Sequence, residues 1–142
     1  MTTIVYRSGI LAGDTRITIE EEIQPGHCRK VFKLKDGSLF AASGDYEAGE
    51  LLLEAIKKKL PTPVCKRGGE AFGLHIKPNG AVWYYEGTRW SRCHNPFYSI
   101  GSGRAYAFGA LHMGATAAEA VAVAMKCDMY SGGRVQTVKI GK

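Results

Sequence analysis

Polar and hydrophobic positions alternate through the first third of the chain, as is typical of β-strands that bury one face. Turn signals interrupt this alternation at Ser8-Gly9, Pro25-Gly26 and Asp36-Gly37. The first of them predicts a hairpin. The pattern as a whole predicts five short strands: Thr2 to Arg7, Ile10 to Asp14, Arg16 to Ile23, Cys28 to Leu34 and Ser38 to Ala42.

The hydrophobic period changes to that of a helix near Tyr46. Leucine or isoleucine occupies positions 52, 53, 56 and 60, which share one helical face. Asp45 is a suitable N-cap, and Pro61 cannot continue the helix. We therefore predict a helix from Tyr46 to Leu60, followed by a loop from Pro61 to Gly69.

Further strands and two helices are predicted in the remainder of the chain. Pro78-Asn79-Gly80 is a hairpin signal, and Thr116 with Glu119 forms a capping box. Because strands and helices are grouped and do not alternate, the order favours an α+β class with antiparallel sheets and helices on their outer faces. The predicted strands are Ala71 to Lys77, Ala81 to Glu86, Thr88 to His94, Phe97 to Ile100 and Arg134 to Ile140, and the predicted helices run from Gly103 to near Met113 and from Thr116 to near Met129.

Length and composition fit one domain that spans residues 1–142, since 45% of the residues are hydrophobic and no linker divides the chain. No apolar run approaches the roughly 20 residues that span a bilayer. The N-terminus lacks a basic region followed by a long apolar stretch, so no secretory signal is expected. These features predict a soluble, cytoplasmic protein.

Charge and cysteine content give little support to nucleic-acid or metal binding. The net charge is +6, but Lys57 to Lys59 lie at the end of the predicted helix, where cations complement the helix dipole. The four cysteines include no Cys-x-x-Cys pair. His27-Cys28 and Cys93-His94 are adjacent residues, which point to opposite faces of a strand. We expect no metal and no cofactor, and nucleic-acid binding is the weaker interpretation of the charge.

Thr2 is the candidate nucleophile. An aminopeptidase can remove Met1 because the residue after it has a small side chain. The product would carry a hydroxyl and a free α-amine on one residue. An α-amine has a pKa of about 7.7–8.0, which suits a general base near neutral pH. Nucleophile and base would then be held together covalently.

Several segments, in order along the chain, resemble proteasome β subunits and the HslV-type peptidase, which are N-terminal nucleophile hydrolases. The resemblance implies a shortened form of their fold, a four-layer αββα sandwich of two antiparallel sheets flanked by helices. It also implies a threonine-type endopeptidase that acts on unfolded polypeptides. The segments are Thr2 to Val5, Ala12 to Thr18, Cys28 to Phe32, Ala42-Ser43-Gly44, Gly101-Ser102-Gly103 and Cys127 to Gly133.

The resemblance assigns catalytic roles to seven residues. Thr2 supplies the attacking oxygen and the amine that takes its proton. Lys30 would lie beside the nucleophile and favour its deprotonated state, and Asp14 would orient Lys30. The backbone N–H of Gly44 would face the developing oxyanion. The supporting network around the amine would be Ser102, Asp128 and Ser131.

The same resemblance predicts where the substrate binds. Thr18 would pair with the substrate backbone as a strand does. The small Ala42 and its apolar neighbours favour a bulky apolar side chain in the residue before the cut. The residues predicted to line or neighbour that pocket are Ile17, Cys28, Phe32, Ala42 and Tyr46.

The chain departs from this family in length. The hairpin between Arg7 and Ile10 is short, and Tyr46 to Leu60 is the single helix predicted where the family has two. Family members form stacked rings and work with an ATP-dependent unfoldase, so a homo-oligomeric ring and such a partner are implied. ATP would bind to the partner, because this sequence has no Gly-rich loop that ends in Lys-Ser/Thr.

Two other interpretations remain open. Some proteasome-like subunits are inactive, so the chain could be a structural subunit without activity. Alternatively, the strand at Phe97 to Ile100, the Gly-x-Gly at Gly101 to Gly103 and the helix after it could cradle a phosphate, as in a nucleotide-binding domain. The third glycine of that motif is absent.

Overall fold

The computed structural model of the protein describes residues 2–62, 71–87 and 89–141. Met1, Cys65, Thr88 and the predicted loop from residue 63 onward lie outside these ranges. Within them the helices are α1 Tyr46–Lys58, α2 Arg104–His112 and α3 Ala117–Cys127. The strands are β1 Thr3–Arg7, β2 Ile10–Asp14, β3 Thr18–Ile19, β4 Glu22–Ile23, β5 Val31–Lys33, β6 Leu39–Gly44, β7 Ala71–Ile76, β8 Val82–Glu86, β9 Trp90–Cys93, β10 Phe97–Gly101 and β11 Val135–Lys139.

Two antiparallel sheets form the centre of the molecule. One has the strand order β10-β1-β2-β11 and the other β5-β6-β7-β8-β9, while β3 and β4 form a separate hairpin. Strand β1 is an inner strand, which pairs with β10 from Thr3↔Gly101 to Arg7↔Phe97 and with β2 on its other side. The predicted α+β class with antiparallel sheets is confirmed.

Alternate residues of β1 contribute to two different hydrophobic clusters, as the geometry of a strand requires. Ile4 packs in a cluster with residues of the other sheet, such as Leu39 and Leu74. Val5 packs in a cluster with residues of α2 and α3. The five-stranded sheet has its own second cluster, in which Leu52 of α1 takes part. Both sheets therefore contact helices on the side away from each other.

The helix caps lie where the sequence predicts them, whereas α1 and α3 end earlier than predicted. Asp45 Oδ1 accepts a hydrogen bond from the Ala48 N–H at 2.8 Å, and the capping box at the start of α3 is complete. Helix α1 ends at Lys58, because Lys59 adopts a left-handed conformation with φ 55°. Helix α3 ends at Cys127, before the predicted Met129. None of the helices in the described ranges is both long and apolar enough to cross a bilayer.

Two strand predictions are wrong. The single strand predicted from Arg16 to Ile23 is a hairpin of β3 and β4, since the chain reverses near Glu20, which has φ 56°. Of the strand predicted from Cys28 to Leu34, only Val31–Lys33 pairs with a neighbour. Lys30 lies directly before this strand, and its side chain bonds to Asp14.

Candidate active site

Thr2 lies directly before β1 and is held by the connection between β10 and α2. Only 3% of the residue is exposed. Its carbonyl oxygen accepts hydrogen bonds from Ser102 Oγ at 3.2 Å and from the Gly103 N–H at 3.4 Å. Gly101 has φ 101°, and a Cβ at this position would collide with the Thr2 carbonyl oxygen. A glycine at position 101 is therefore required to place Thr2.

Asp14, at the end of β2, joins Thr2 to two distant parts of the chain. The carboxylate is fully buried. Its Oδ1 accepts hydrogen bonds from Thr2 Oγ1 at 2.5 Å and from the Thr3 N–H at 3.0 Å. Its Oδ2 accepts one from the Gly132 N–H at 3.0 Å. Lys30 Nζ donates to both oxygens, at 3.0 and 3.1 Å.

The Lys30 ammonium is a buried cation, with 11% of its side chain exposed. Burial lowers the pKa of Lys30 from its ordinary value of 10.5, while the charge and hydrogen bonds of Asp14 act in the opposite direction. The Thr2 hydroxyl and the ammonium share Asp14 Oδ1 as acceptor. A positive charge in this position favours the deprotonated form of a neighbouring hydroxyl.

A second polar cluster lies around Asp128, the residue that ends α3. Asp128 Oδ2 accepts a hydrogen bond from Ser131 Oγ at 2.6 Å. It also lies 2.7 Å from Ser102 Oγ, whose single proton is shared between Asp128 and the Thr2 carbonyl oxygen. Ser131 has a single O–H, so its oxygen acts as acceptor for Thr3 Oγ1, which lies 2.6 Å away. The structure thus brings together the three supporting residues predicted from the sequence, beside the carbonyl group of Thr2.

Thr3 and Arg16 also belong to this arrangement, and sequence reasoning missed both. Arg16 Nη1 donates to the carbonyl oxygens of Met129 at 3.0 Å and Ser131 at 3.3 Å. Its guanidinium occupies the space that a Cβ at Gly132 would need. Two signals in the sequence could have found them. Thr3 is a polar residue at the start of a buried strand. The adjacent glycines 132 and 133 leave room for a large side chain, which is that of Arg16.

A cavity of about 530 Å³ opens beside Thr2. Gly44, at the end of β6, lies in its wall together with Ser43 and Thr2. The predicted oxyanion residue is therefore close to the predicted nucleophile. Four aromatic side chains also line the cavity: Phe72, Tyr84, Tyr98 and Phe108.

The residues predicted to bind substrate lie outside this cavity. Cys28 acts electrostatically on both Lys30 and Tyr46, which indicates that the three side chains lie in one region of the molecule. Ala42 faces α1, where a Cβ on Gly49 would be 3.2 Å from the Ala42 Cβ. Of the remaining three, Ile17 and Thr18 lie at the base of the β3–β4 hairpin and Phe32 lies on β5, and their role in binding stays a prediction.

This geometry supports neither a metal site nor a phosphate-binding site. Among the described residues, no group of three or more His, Cys, Asp or Glu side chains is placed to hold a metal ion. The donors of the Gly101 to Gly103 segment are used by the Thr2 carbonyl oxygen, and β10 is antiparallel to β1. In a nucleotide-binding βα unit, such donors would face a phosphate.

Comparisons with known proteins give a clear result for the fold alone. No family model matches the chain, and no curated protein matches it. Among solved structures, BPH from Thiobacillus denitrificans is 19% identical with a TM-score of 0.69, over 99% of this chain and 98% of that one. The same protein in complex with epoxomicin gives a TM-score of 0.70 at 19% identity, over 99% of each chain.

A eukaryotic protein is also similar in structure. HslV from Trypanosoma brucei is 16% identical, with a TM-score of 0.75 over 96% of this chain and 97% of that one. At these identities, the comparison concerns the fold and not the chemistry. Together with the arrangement of Thr2, Asp14 and Lys30, these similarities show that the chain has a proteasome β/HslV-like fold.

Proposed function

We propose that this chain is a threonine endopeptidase of the HslV type, which hydrolyses peptide bonds of unfolded polypeptides with Thr2 as nucleophile after Met1 is removed. One observation carries the proposal. The Thr2 hydroxyl donates to Asp14 at 2.5 Å, and the same carboxylate binds the buried ammonium of Lys30. Burying an ion pair requires desolvation of both charges, which a purely structural role does not explain. Such perturbed charges mark functional sites.

The chemistry follows from the two groups on Thr2. Its Oγ1 forms a bond to the substrate carbonyl carbon, and the hydroxyl proton passes to the α-amine. The carbonyl oxygen becomes an oxyanion, which the Gly44 N–H stabilises. The C–N bond then breaks, and the departing nitrogen takes the proton from the Thr2 ammonium. An ester on Thr2 remains, and water hydrolyses it with the amine again as base, so that the acid is released and Thr2 is restored.

Neighbouring residues prepare Thr2 for this reaction. Lys30 stabilises negative charge that develops on Oγ1, and Asp14 orients Lys30 through its two hydrogen bonds. Ser102, Asp128 and Ser131 surround the amine and relay protons or water to it. Thr18 pairs with the substrate backbone, and the pocket for the residue before the cut is lined by Ile17, Cys28, Phe32, Ala42 and Tyr46. The electrostatic influence of Cys28 on both Lys30 and Tyr46 supports this pocket.

The assembly is part of the proposal. The chain folds as one domain in a shortened four-layer αββα sandwich, which is consistent with its three hydrophobic clusters. It forms a homo-oligomeric ring in the cytoplasm and receives unfolded substrates from an ATP-dependent unfoldase. Large exposed hydrophobic side chains support contacts between copies of the chain, among them Ile19, Ile23, Leu51 and Leu60.

The decisive experiment compares peptide hydrolysis by the purified protein with that of Thr2→Ala, with and without an unfoldase. Thr137→Ala, an exposed threonine of β11, is the matched control. We expect the intact mass to show loss of Met1, Thr2→Ala to lose at least about 10³-fold in activity, and the control to keep it. Equal hydrolysis by the protein and Thr2→Ala would remove Thr2 from the mechanism and leave a structural subunit.

Epoxomicin provides a second test. It forms a complex with the Thiobacillus denitrificans protein. If this compound reacts with the nucleophile of a proteasome-like site, its attachment to this chain should depend on Thr2 and on a free α-amine. We expect the protein to gain the mass of one inhibitor per chain, whereas Thr2→Ala and the chain that retains Met1 gain none. A modified Thr2→Ala would contradict the assignment.

A further inference from the structure

The cavity beside Thr2 and the predicted pocket around Ala42 lie on opposite faces of the five-stranded sheet. Ala42 and Ser43 are neighbours on β6, and adjacent side chains on a strand point in opposite directions. Ala42 faces α1. Ser43 pairs with Phe72 and lines the cavity, so both side chains face the other sheet. The backbone at Gly44 thus lies between the cavity, which reaches Thr2, and the predicted pocket around Ala42.

Aromatic side chains from four elements form the walls of this cavity. Phe72 on β7 and Tyr84 on β8 have ring centroids 6.5 Å apart, and Tyr98 on β10 lies 5.5 Å from Tyr84. Phe108 of α2 adds a fourth ring. The volume of about 530 Å³ falls within the range of about 300–1,000 Å³ that is usual for ligand pockets.

The cavity carries little charge. Burial raises the pKa of Tyr84, and it raises that of Tyr98 to about 12, so both phenols are neutral at physiological pH. Among the described residues, the one charged side chain in the lining is that of Arg104, which is exposed and donates to the Gly101 carbonyl oxygen at 3.1 Å. An apolar side chain would gain free energy by entering this space, whereas a cationic one would lose its hydration and meet a like charge.

We infer that this cavity binds the side chain of the residue immediately after the cleaved bond, and that it selects a large aromatic or aliphatic residue there. The inference rests on the proposed function. The acyl half of the substrate is predicted to lie on the side of β6 that carries Ala42. The departing half then extends past Gly44 to the side that carries Ser43. The departing amine then remains beside Thr2, and its side chain enters the aromatic cavity.

The kinetic test uses peptides that share one acyl half and differ only in the first residue of the departing half, which is Phe, Leu, Gly or Lys. We expect kcat/KM to be at least about ten-fold higher for Phe and Leu than for Gly or Lys. Phe108→Ala should reduce the ratio of Phe to Gly several-fold. Tyr106→Ala, an exposed aromatic change on the same helix and outside the cavity, should leave the ratio unchanged.

A second variant keeps the test valid if Phe108→Ala does not fold. Asn95 is exposed and lines the cavity, so Asn95→Trp narrows the opening without changing the hydrophobic core. We expect it to slow cleavage of the Phe peptide while the Gly peptide is cleaved at the original rate. If both cavity variants leave the ratio of Phe to Gly unchanged, the assignment of the cavity is wrong.

A binding measurement separates this inference from the proposed function. Thr2→Ala is titrated with the departing half alone, as tripeptides that begin with Phe or with Lys. At least about ten-fold tighter binding of the Phe tripeptide, reduced by Asn95→Trp, supports the cavity even if the protein cleaves no peptide, an outcome that would refute the proposed function. Cleavage of all four peptides at equal rates, with equal binding of both tripeptides, would refute the cavity and leave the peptidase standing.

Discussion

The pair of Asp14 and Lys30 allows the strongest quantitative prediction. Five groups around the Asp14 carboxylate are hydrogen-bond donors: Thr2 Oγ1, Lys30 Nζ and the N–H groups of Thr3, Arg16 and Gly132. In Asp14→Asn, the new NH2 group therefore faces a donor whichever way the amide is turned. Removing one member of a buried ion pair costs about 3–5 kcal/mol, and we place Asp14→Asn at the upper end of this range.

Lys30→Met should be less destabilising. The carboxylate of Asp14 keeps its backbone N–H partners and the Thr2 hydroxyl, so we expect a loss of about 3 kcal/mol. In the double variant neither charge is buried. Its loss should be smaller than the sum of the two single losses by at least about 2 kcal/mol. Because a domain is stable by about 5–15 kcal/mol, all three variants should remain measurable.

The measurement is urea unfolding at neutral pH, extrapolated to water, for all four proteins. Peptide hydrolysis is followed in parallel, where each single variant should lose at least about 10²-fold in activity, since each disturbs the groups around Thr2. If the free energies of unfolding of the single variants add within about 0.5 kcal/mol, the two side chains are not coupled. The structural basis of the proposed mechanism would then be wrong.

Three further predictions concern other parts of the chain. Gly101→Ala should lower kcat/KM at least ten-fold because it displaces Thr2. The control is Gly80→Ala, since Gly80 has φ 87° and open surroundings; an unfolding measurement should show a loss of only about 1–2 kcal/mol from backbone strain. Tyr98 has a raised pKa of about 12, so its contribution to stability is complete below pH 10 and is lost as the pH rises through 12. Tyr98→Phe should therefore reduce the loss of stability at alkaline pH, as measured by unfolding curves. Thr116→Ala removes the capping box of α3, and should lower the free energy of unfolding by about 1 kcal/mol without changing kcat.

Elements defined by local interactions were predicted well from the sequence. The N-cap at Asp45, the capping box at Thr116 and the hairpin at Pro78-Asn79-Gly80 all depend on residues within a few positions of one another. The turn between β3 and β4 was missed, because Glu20 adopts a positive φ that sequence patterns assign to glycine or asparagine. The end of α3 was placed too late, since the Asp128 carboxylate binds Ser102 in a distant segment as well as the nearby Ser131.

In the candidate site too, some residues were found from the sequence and others were missed. Asp14 and Lys30 could be named through a resemblance of short segments, and the structure brings both to Thr2. Thr3 and Arg16 could not, because their partners follow more than 110 positions later in the chain, at Ser131. The aromatic cavity was also missed. Its walls come from two sheets and a helix, and the strand pattern alone does not show which faces meet.

The hydrogen bonds of Asp14 have a consequence for synthesis of the protein in the cell. This carboxylate binds groups from positions 2, 30 and 132, so its surroundings are complete only after Gly132 has left the ribosome. A nascent chain or a truncated fragment lacks the backbone N–H of Gly132 and would leave the threonine poorly held. The proposed hydrolytic activity would thereby be delayed until synthesis has passed Gly132.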